Sequence, residues 1–214
     1  MNAAVEQHPD CNSFVEESWT DEMLLVQYRQ TGNRRLFEVL VGRYERELYS
    51  YLRRYLGDAE MADDAFQAAF LQVHLKRDHY EDGRKFRPWL YTIATNQAID
   101  AQRRNRRHRM VSLDRAGAEH VEEVGRLADV LVSGTPNPVD VAADKERSEW
   151  VRSALAGLSD QARHVVELVY YRGMKYREAA EILAVPVGTV KSRLHAAIKK
   201  LNDTMTHQEA DQRG

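Results

Sequence analysis

The sequence predicts an all-α protein made of two small helical domains joined by a flexible linker, the C-terminal domain a helix-turn-helix. Apolar residues recur three, four and seven apart through most of the chain, as buried helical stripes require. No segment alternates apolar and polar residues as a half-buried strand does. A single long acidic stretch with Gly117, Gly125, Gly134, Pro136 and Pro138 interrupts the periodicity and reads as a connection between two folded parts.

Residues 1–20 form an acidic leader, with Glu6, Asp10, Glu16 and Glu17 ahead of the first basic side chain, Arg29. Such leaders are usually solvated tails; folding back on a basic helix as an internal brake is the alternative. Residues 21–110 form the first domain. From Asn33 to Tyr55 one stripe carries Leu36, Phe37, Leu40, Val41, Tyr44, Leu48, Tyr51, Leu52 and Tyr55, and Gly57-Asp58 then stops and restarts the chain. The next helix puts Ala62, Ala65, Phe66, Ala69, Phe70 and Val73 on one face and breaks in the polar run Lys76 to Lys85. A last helix, Phe86 to Arg109, buries Phe86, Leu90, Ile93, Ala94 and Ala101. About a quarter-turn away it lines up Trp89, Asn96, Asp100, Arg103 and Arg107.

Residues 111–141 are the linker, 142–204 the helix-turn-helix domain and 205–214 a tail. In the second domain a short helix with Ala179, Ala180, Ile182 and Leu183 meets a tight break at Ala184-Val185. Pro186 then stands where a first helical turn tolerates a missing N–H. The helix that follows should bury Val190, Leu194, Ala197, Ile198 and Leu201 and turn Gly188, Lys191, Ser192, His195 and Lys199 outward.

The formal charge of −2 conceals a strongly uneven distribution. Between Arg84 and Arg109, eight Lys and Arg side chains face one acid, Asp100, and no acid lies between Pro186 and Leu201. A basic recognition helix suits the DNA major groove, although a solvated amphipathic helix has the same pattern. The stripe of aromatic, amide and arginine suits unstacked bases and their phosphates. Equally, Trp89 and Tyr91 could close the core while the arginines complement the helix end.

Other chemistries find little support. No apolar run approaches the roughly 18 residues of a membrane span, and no secretory signal is expected from the first residues. Cys11 is the single cysteine, so neither an internal disulfide nor a thiolate zinc site is expected. His74, Asp78, His79, Glu81 and Asp82 gather near one helix end but match no strong metal motif. No phosphate loop, nucleophile elbow or Cys/His pair is present, so no catalytic residue, metal or cofactor is assigned and no enzyme is expected.

Two motif blocks, FRPWLYTIATNQAID at Phe86 to Asp100 and VPVGTVKSRLHAAIKKL at Val185 to Leu201, resemble those of bacterial sigma-70 family RNA polymerase sigma factors of the extracytoplasmic-function (ECF) class. DDAFQAAFLQV at Asp63 to Val73 and LSDQARHVVELVYYRGMKYREAAEIL at Leu158 to Leu183 support the resemblance, which covers Asp21 to Leu201 except the linker. It implies a cytoplasmic, non-enzymatic protein that binds core RNA polymerase, recognises the −35 and −10 promoter elements as duplex and melted DNA, and helps open the DNA. It also implies a monomer when bound to polymerase and, as a further partner, an anti-sigma protein.

Carried over by position, Asp63, Asp64, Gln67, Phe70 and Leu71 fall where the family docks on polymerase. Trp89, Tyr91, Asn96, Arg103, Arg104 and Arg107 fall in the −10 helix, with the loop Asp78 to Lys85 beside the flipped base. Gly188, Thr189, Lys191, Ser192, Arg193, His195 and Lys199 fall in the −35 helix. The chain departs from the family pattern at Ala68, where a Glu is usual, at Lys175, where Ser or Thr caps the first helix of the motif, and at His195-Ala196. A stand-alone helix-turn-helix regulator is the alternative; it would have no use for a strand-opening surface.

Overall fold

The computed structural model describes residues 18–113 and 157–211, all helix, turn or loop with no strand among them. The leader up to residue 17, the linker beyond residue 113, the opening of the second domain and the last three residues lie outside the described residues.

Helix α1, Asp21–Thr31, starts at Thr20, whose hydroxyl accepts the Met23 N–H, and ends at Gly32 with φ +69°. Helix α2, Arg34–Leu56, starts at Asn33, whose side chain accepts the Arg35 N–H. Gly57 at φ +75° closes α2, and Asp58 caps α3, Ala59–Lys76, by accepting the Met61 N–H at 2.8 Å. The Gly-Asp pair thus supplies both the left-handed stop and the acceptor that restarts the chain. A 3₁₀ turn at Arg77–His79 leads into the loop before α4, Phe86–Leu113, which continues three residues past the sequence-derived start of the linker.

In the second unit, α5, Asp160–Val166, is capped by Ser159 and widens into a π-helical turn, Glu167–Tyr171. After Gly173, α6, Tyr176–Ile182, and α7, Val187–Asp211, form the helix-turn-helix. Helix α7 runs past Thr204, where the sequence placed the domain end.

The expected stripe of α2 is buried at Leu36, Leu40, Tyr44, Leu48, Tyr51 and Leu52, and the expected face of α4 at Phe86, Leu90, Ile93, Ala94 and Ala101. Polar groups inside this core are paired. The Thr95 hydroxyl donates to the Tyr91 carbonyl at 2.7 Å, which leaves the Tyr51 hydroxyl to donate to Thr95 at 2.8 Å. The same apolar cluster extends into the second unit through Val165, Leu168, Met174, Ala179, Ala180, Ile182 and Val190, so the two units pack together. In α7, Ile198 corrects the sequence reading: it was assigned to the buried stripe but is half exposed, because Ala197 takes the position facing Leu158, Ala162 and Val166.

Candidate nucleic-acid interface

The basic stripe of α4 is presented by helix geometry alone. Asn96, Asp100, Arg103, Arg104 and Arg107 are exposed along one side, about 1.5 Å of rise per residue. The two aromatic members proposed from sequence are elsewhere. Tyr91 is fully buried against Tyr51, ring centroids 4.9 Å apart, and its hydroxyl donates to Glu47 at 2.8 Å. Burial, reinforced by the Glu47 charge, raises its pKa far above the ordinary phenol value. Trp89 is also buried, edge-on to Tyr80 at 5.0 Å and tilted on Phe86 at 6.1 Å. Neither ring offers a free face for stacking here, because the apolar stripe of α4 extends to both residues. This corrects their assignment as surface contacts.

The loop ahead of α4 is held by α1. Arg29 donates to the Tyr80 carbonyl at 3.0 Å and pairs with the Asp82 carboxylate at 2.9 Å, while Glu22 accepts the Phe86 N–H at 3.1 Å. The Tyr80 hydroxyl donates to the Arg84 carbonyl, and Gly83 turns the loop at φ +88°. Glu22 and Asp82 add to the burial that raises the Tyr80 pKa to about 12. His74, from the His/acid group, instead shares a 2.6 Å hydrogen bond with the Tyr28 hydroxyl. No cluster that could hold a metal ion occurs among the described residues.

On α3, Asp63, Asp64, Gln67 and Leu71 are exposed on one side. Phe70 is not with them: it is buried edge-on to Phe37 and Phe66, since it belongs to the opposite, core-facing stripe. Sequence reasoning missed Leu75, which is exposed to the same degree as Leu71 and lies one turn further on; its i+4 spacing from Leu71 was the available signal.

The turn of the helix-turn-helix places Ala184 at φ +51°, the left-handed region, and the Val185 N–H donates to the Ala180 carbonyl at 3.0 Å. Lys175 begins α6 without a side-chain acceptor. Glu178 compensates in part, its carboxylate accepting the Lys175 N–H at 2.7 Å. On α7, Gly188, Lys191, Ser192, His195 and Lys199 are exposed together, as their spacing predicts, with Thr189 half buried beside them. The Ser192 hydroxyl donates to the Thr189 carbonyl at 3.1 Å. Arg193 turns sideways and donates to Gln161 on α5 at 2.7 Å.

Comparison with known proteins matches residues 40–108 to the family described as Sigma-70 region 2 and residues 148–201 to Sigma-70, region 4. The ECF RNA polymerase sigma factor SigW of Bacillus subtilis is 32% identical over 176 residues, 80% of this chain and 92% of SigW. The chain belongs to the ECF RNA polymerase sigma factors. The ECF RNA polymerase sigma-E factor of Escherichia coli K12 is 30% identical over 192 residues, 88% of this chain and 96% of that protein. Among solved structures, CnrH in complex with the cytosolic domain of CnrY is similar with a TM-score of 0.59 and 25% identity, covering 87% of this chain and 97% of CnrH. RpoE of Bartonella quintana, solved with the anti-sigma factor NepR, shares the fold with a TM-score of 0.56 and covers 79% of this chain and 96% of its own. As an ECF sigma factor the protein binds RNA polymerase and recognises promoter DNA. No described helix is long and apolar enough to cross a membrane.

Proposed function

We propose that this sigma factor divides promoter reading between its two units: α4 and the loop held by Arg29 engage the melted −10 element, and α7 reads the −35 element in the major groove. The observation that carries this is the pair of exposed basic faces, Asn96 with Arg103, Arg104 and Arg107 on α4, and Lys191, Ser192, His195 and Lys199 on α7. Phosphates along both elements attract the cations, and the polar side chains near the start of α7 can reach base edges. Strand opening costs a few kcal/mol per unstacked nucleotide, which phosphate contacts to a fixed loop and helix help offset.

The exposed side of α3, with Asp63, Asp64, Gln67, Leu71 and Leu75, is the docking face for core polymerase. It combines exposed leucines with acidic side chains, as a protein interface with an apolar centre and a polar rim requires. The protein works in the cytoplasm as a binding and strand-opening factor, with polymerase performing the bond chemistry. An anti-sigma protein is a further partner, in keeping with the fold shared with RpoE, which is solved with the anti-sigma factor NepR.

The test is reconstitution. The purified chain should co-elute with core polymerase and start transcription at a promoter that core alone ignores. Asn96→Ala should preserve co-elution while reducing permanganate reactivity of unpaired thymines. A chain that binds duplex DNA equally well without polymerase and confers no promoter-dependent transcription would favour the stand-alone regulator.

A further inference from the structure

Glu22 and Arg29 lie on one side of α1, because seven residues make almost two full helical turns and set them about 10 Å apart along the axis. Each holds a different part of the loop between the 3₁₀ turn and α4. Arg29 spans two loop groups with one guanidinium: Nη1 donates to the Tyr80 carbonyl at 3.0 Å, and Nη2 donates to both Asp82 carboxylate oxygens, at 2.9 and 3.2 Å. Two turns away, Glu22 accepts the Phe86 N–H at 3.1 Å and so caps the first turn of α4 from another helix. Its carboxylate also comes within 4.0 Å of the Lys85 ammonium.

The loop's own hydrogen bonds close its backbone in the same way. The Tyr80 hydroxyl donates to the Arg84 carbonyl, the Arg84 N–H donates to the Glu81 carbonyl at 3.1 Å, and Gly83 makes the turn at φ +88°. With the carbonyls of Tyr80, Glu81 and Arg84 all accepting from within the protein, the loop presents outward chiefly the exposed side chains of His79, Glu81 and Lys85. The pairing of Arg29 with Asp82 adds little to stability, since the Asp82 side chain is 69% exposed and an ion pair so open to water is weak. What a planar guanidinium fork on two fixed acceptors supplies is orientation.

We propose that Arg29 and Glu22 are positioning residues for base recognition in the melted −10 element: by holding both ends of the loop they fix its outward side chains in one arrangement, and α1 thereby governs base preference without contacting DNA. The proposal rests on the −10 reading of the loop stated above. Discrimination is a difference between affinities, and it narrows when the reading groups can adapt to each base in turn. Loosening the loop therefore lowers preference more than it lowers strand opening.

The experiment reconstitutes the full chain with core polymerase and measures single-round transcript yield on promoters carrying each base in turn at the −10 positions. Arg29→Gln should lower the preference for the best base over the others several-fold at one position, while far-UV circular dichroism, co-elution with core polymerase and the −35 preference profile match the parent. Arg29→Lys should fall between the two, since one ammonium can pair with Asp82 but cannot also hold the Tyr80 carbonyl in a planar fork. Glu22→Ala should act in the same direction, and Glu22→Gln, whose amide oxygen can still accept the Phe86 N–H, should be milder. Asp82→Asn removes the pair from the loop side, so the double variant Arg29→Gln/Asp82→Asn should discriminate no worse than Arg29→Gln alone. A merely structural role would reduce yield at every base by one factor and leave the profile unchanged; that result, or additive losses in the double variant, would overturn the proposal. A parent holoenzyme that uses every −10 variant equally would sink the −10 reading and the proposal with it, whereas a discriminating parent whose profile survives Arg29→Gln sinks the proposal alone.

Discussion

His164 of α5 lies flat against Tyr55 of α2, ring centroids 3.7 Å apart and planes within 9°. Burial and the nearby Arg163 and Arg193 charges lower the His164 pKa to about 4. Asp160 and a backbone hydrogen bond with Tyr55 oppose the shift without cancelling it. The imidazole is therefore neutral in the folded protein at neutral pH.

The sign of the pH dependence follows. A histidine whose folded pKa lies below its free value near 6.5 contributes fully above pH 6.5, because neither state then binds the proton. Between pH 6.5 and 4 the unfolded chain takes up a proton that the folded one refuses, and the folded state loses stability. The loss levels off below pH 4, at a magnitude on the order of 3 kcal/mol. Denaturant midpoints measured from pH 8 to 4 should fall over this window. His164→Phe, which keeps a flat ring on Tyr55, should remove that portion of the slope; an unchanged slope would place its origin in another group.

Ala184 adopts the left-handed backbone conformation at the turn of the helix-turn-helix. For a residue with a Cβ this costs roughly 1 kcal/mol, and glycine avoids it while losing more chain entropy on folding. Ala184→Gly is expected to stabilise the second unit by about 0.5–1 kcal/mol, read as a higher unfolding midpoint with no change in −35 sequence preference.

Lys191 and Lys199 should separate base reading from phosphate binding. Lys191 stands in the first turns of α7, where a recognition helix approaches the groove; Lys199 lies two turns further on. Lys191→Ala is expected to cost about 1–3 kcal/mol and relax preference at one base position. By contrast, Lys199→Ala should weaken all sequences alike and reduce the salt slope by about one unit. Binding to single-base variants of the −35 element at several salt concentrations distinguishes them.

Trp89 and Asn96 distinguish the buried from the exposed side of α4. With Trp89 buried between Tyr80 and Phe86, Trp89→Ala should destabilise the first unit by roughly 3 kcal/mol or more, seen by thermal unfolding. The exposed Asn96 should tolerate alanine within about 0.5 kcal/mol. Equal stability of the two variants would restore Trp89 to the surface stripe.

Helical periodicity made much of this fold legible. The stripe of α2, the Gly57-Asp58 junction, the core face of α4 and the break at Ala184 each follow from local spacing and capping, which depend only on neighbouring residues. The site was less legible because exposure is a property of packing. Trp89 falls beside polar neighbours in its motif, yet α4 turns it inward against Tyr80, whereas Phe70, which periodicity already sets on the core face, joined the polymerase face only through the family resemblance. The ion pair between Arg54 and Glu167 was invisible for a further reason. Arg54 and Glu167 are separated by 113 positions, and no local pattern announces that a charged residue in an apolar run will meet a distant arginine.

Helix α1 lies ahead of the Sigma-70 region 2 match, which begins at residue 40. Leu24 and Leu25 are nevertheless fully buried, Asp21 accepts the Tyr44 hydroxyl at 2.6 Å, and Arg29 and Glu22 tether the loop ahead of α4. A fragment cut at residue 40 would strip the core of an entire wall and leave that loop unmoored. The smallest promoter-melting piece of this protein therefore begins no later than Thr20, and a deletion series from the N-terminus should lose activity abruptly there rather than gradually.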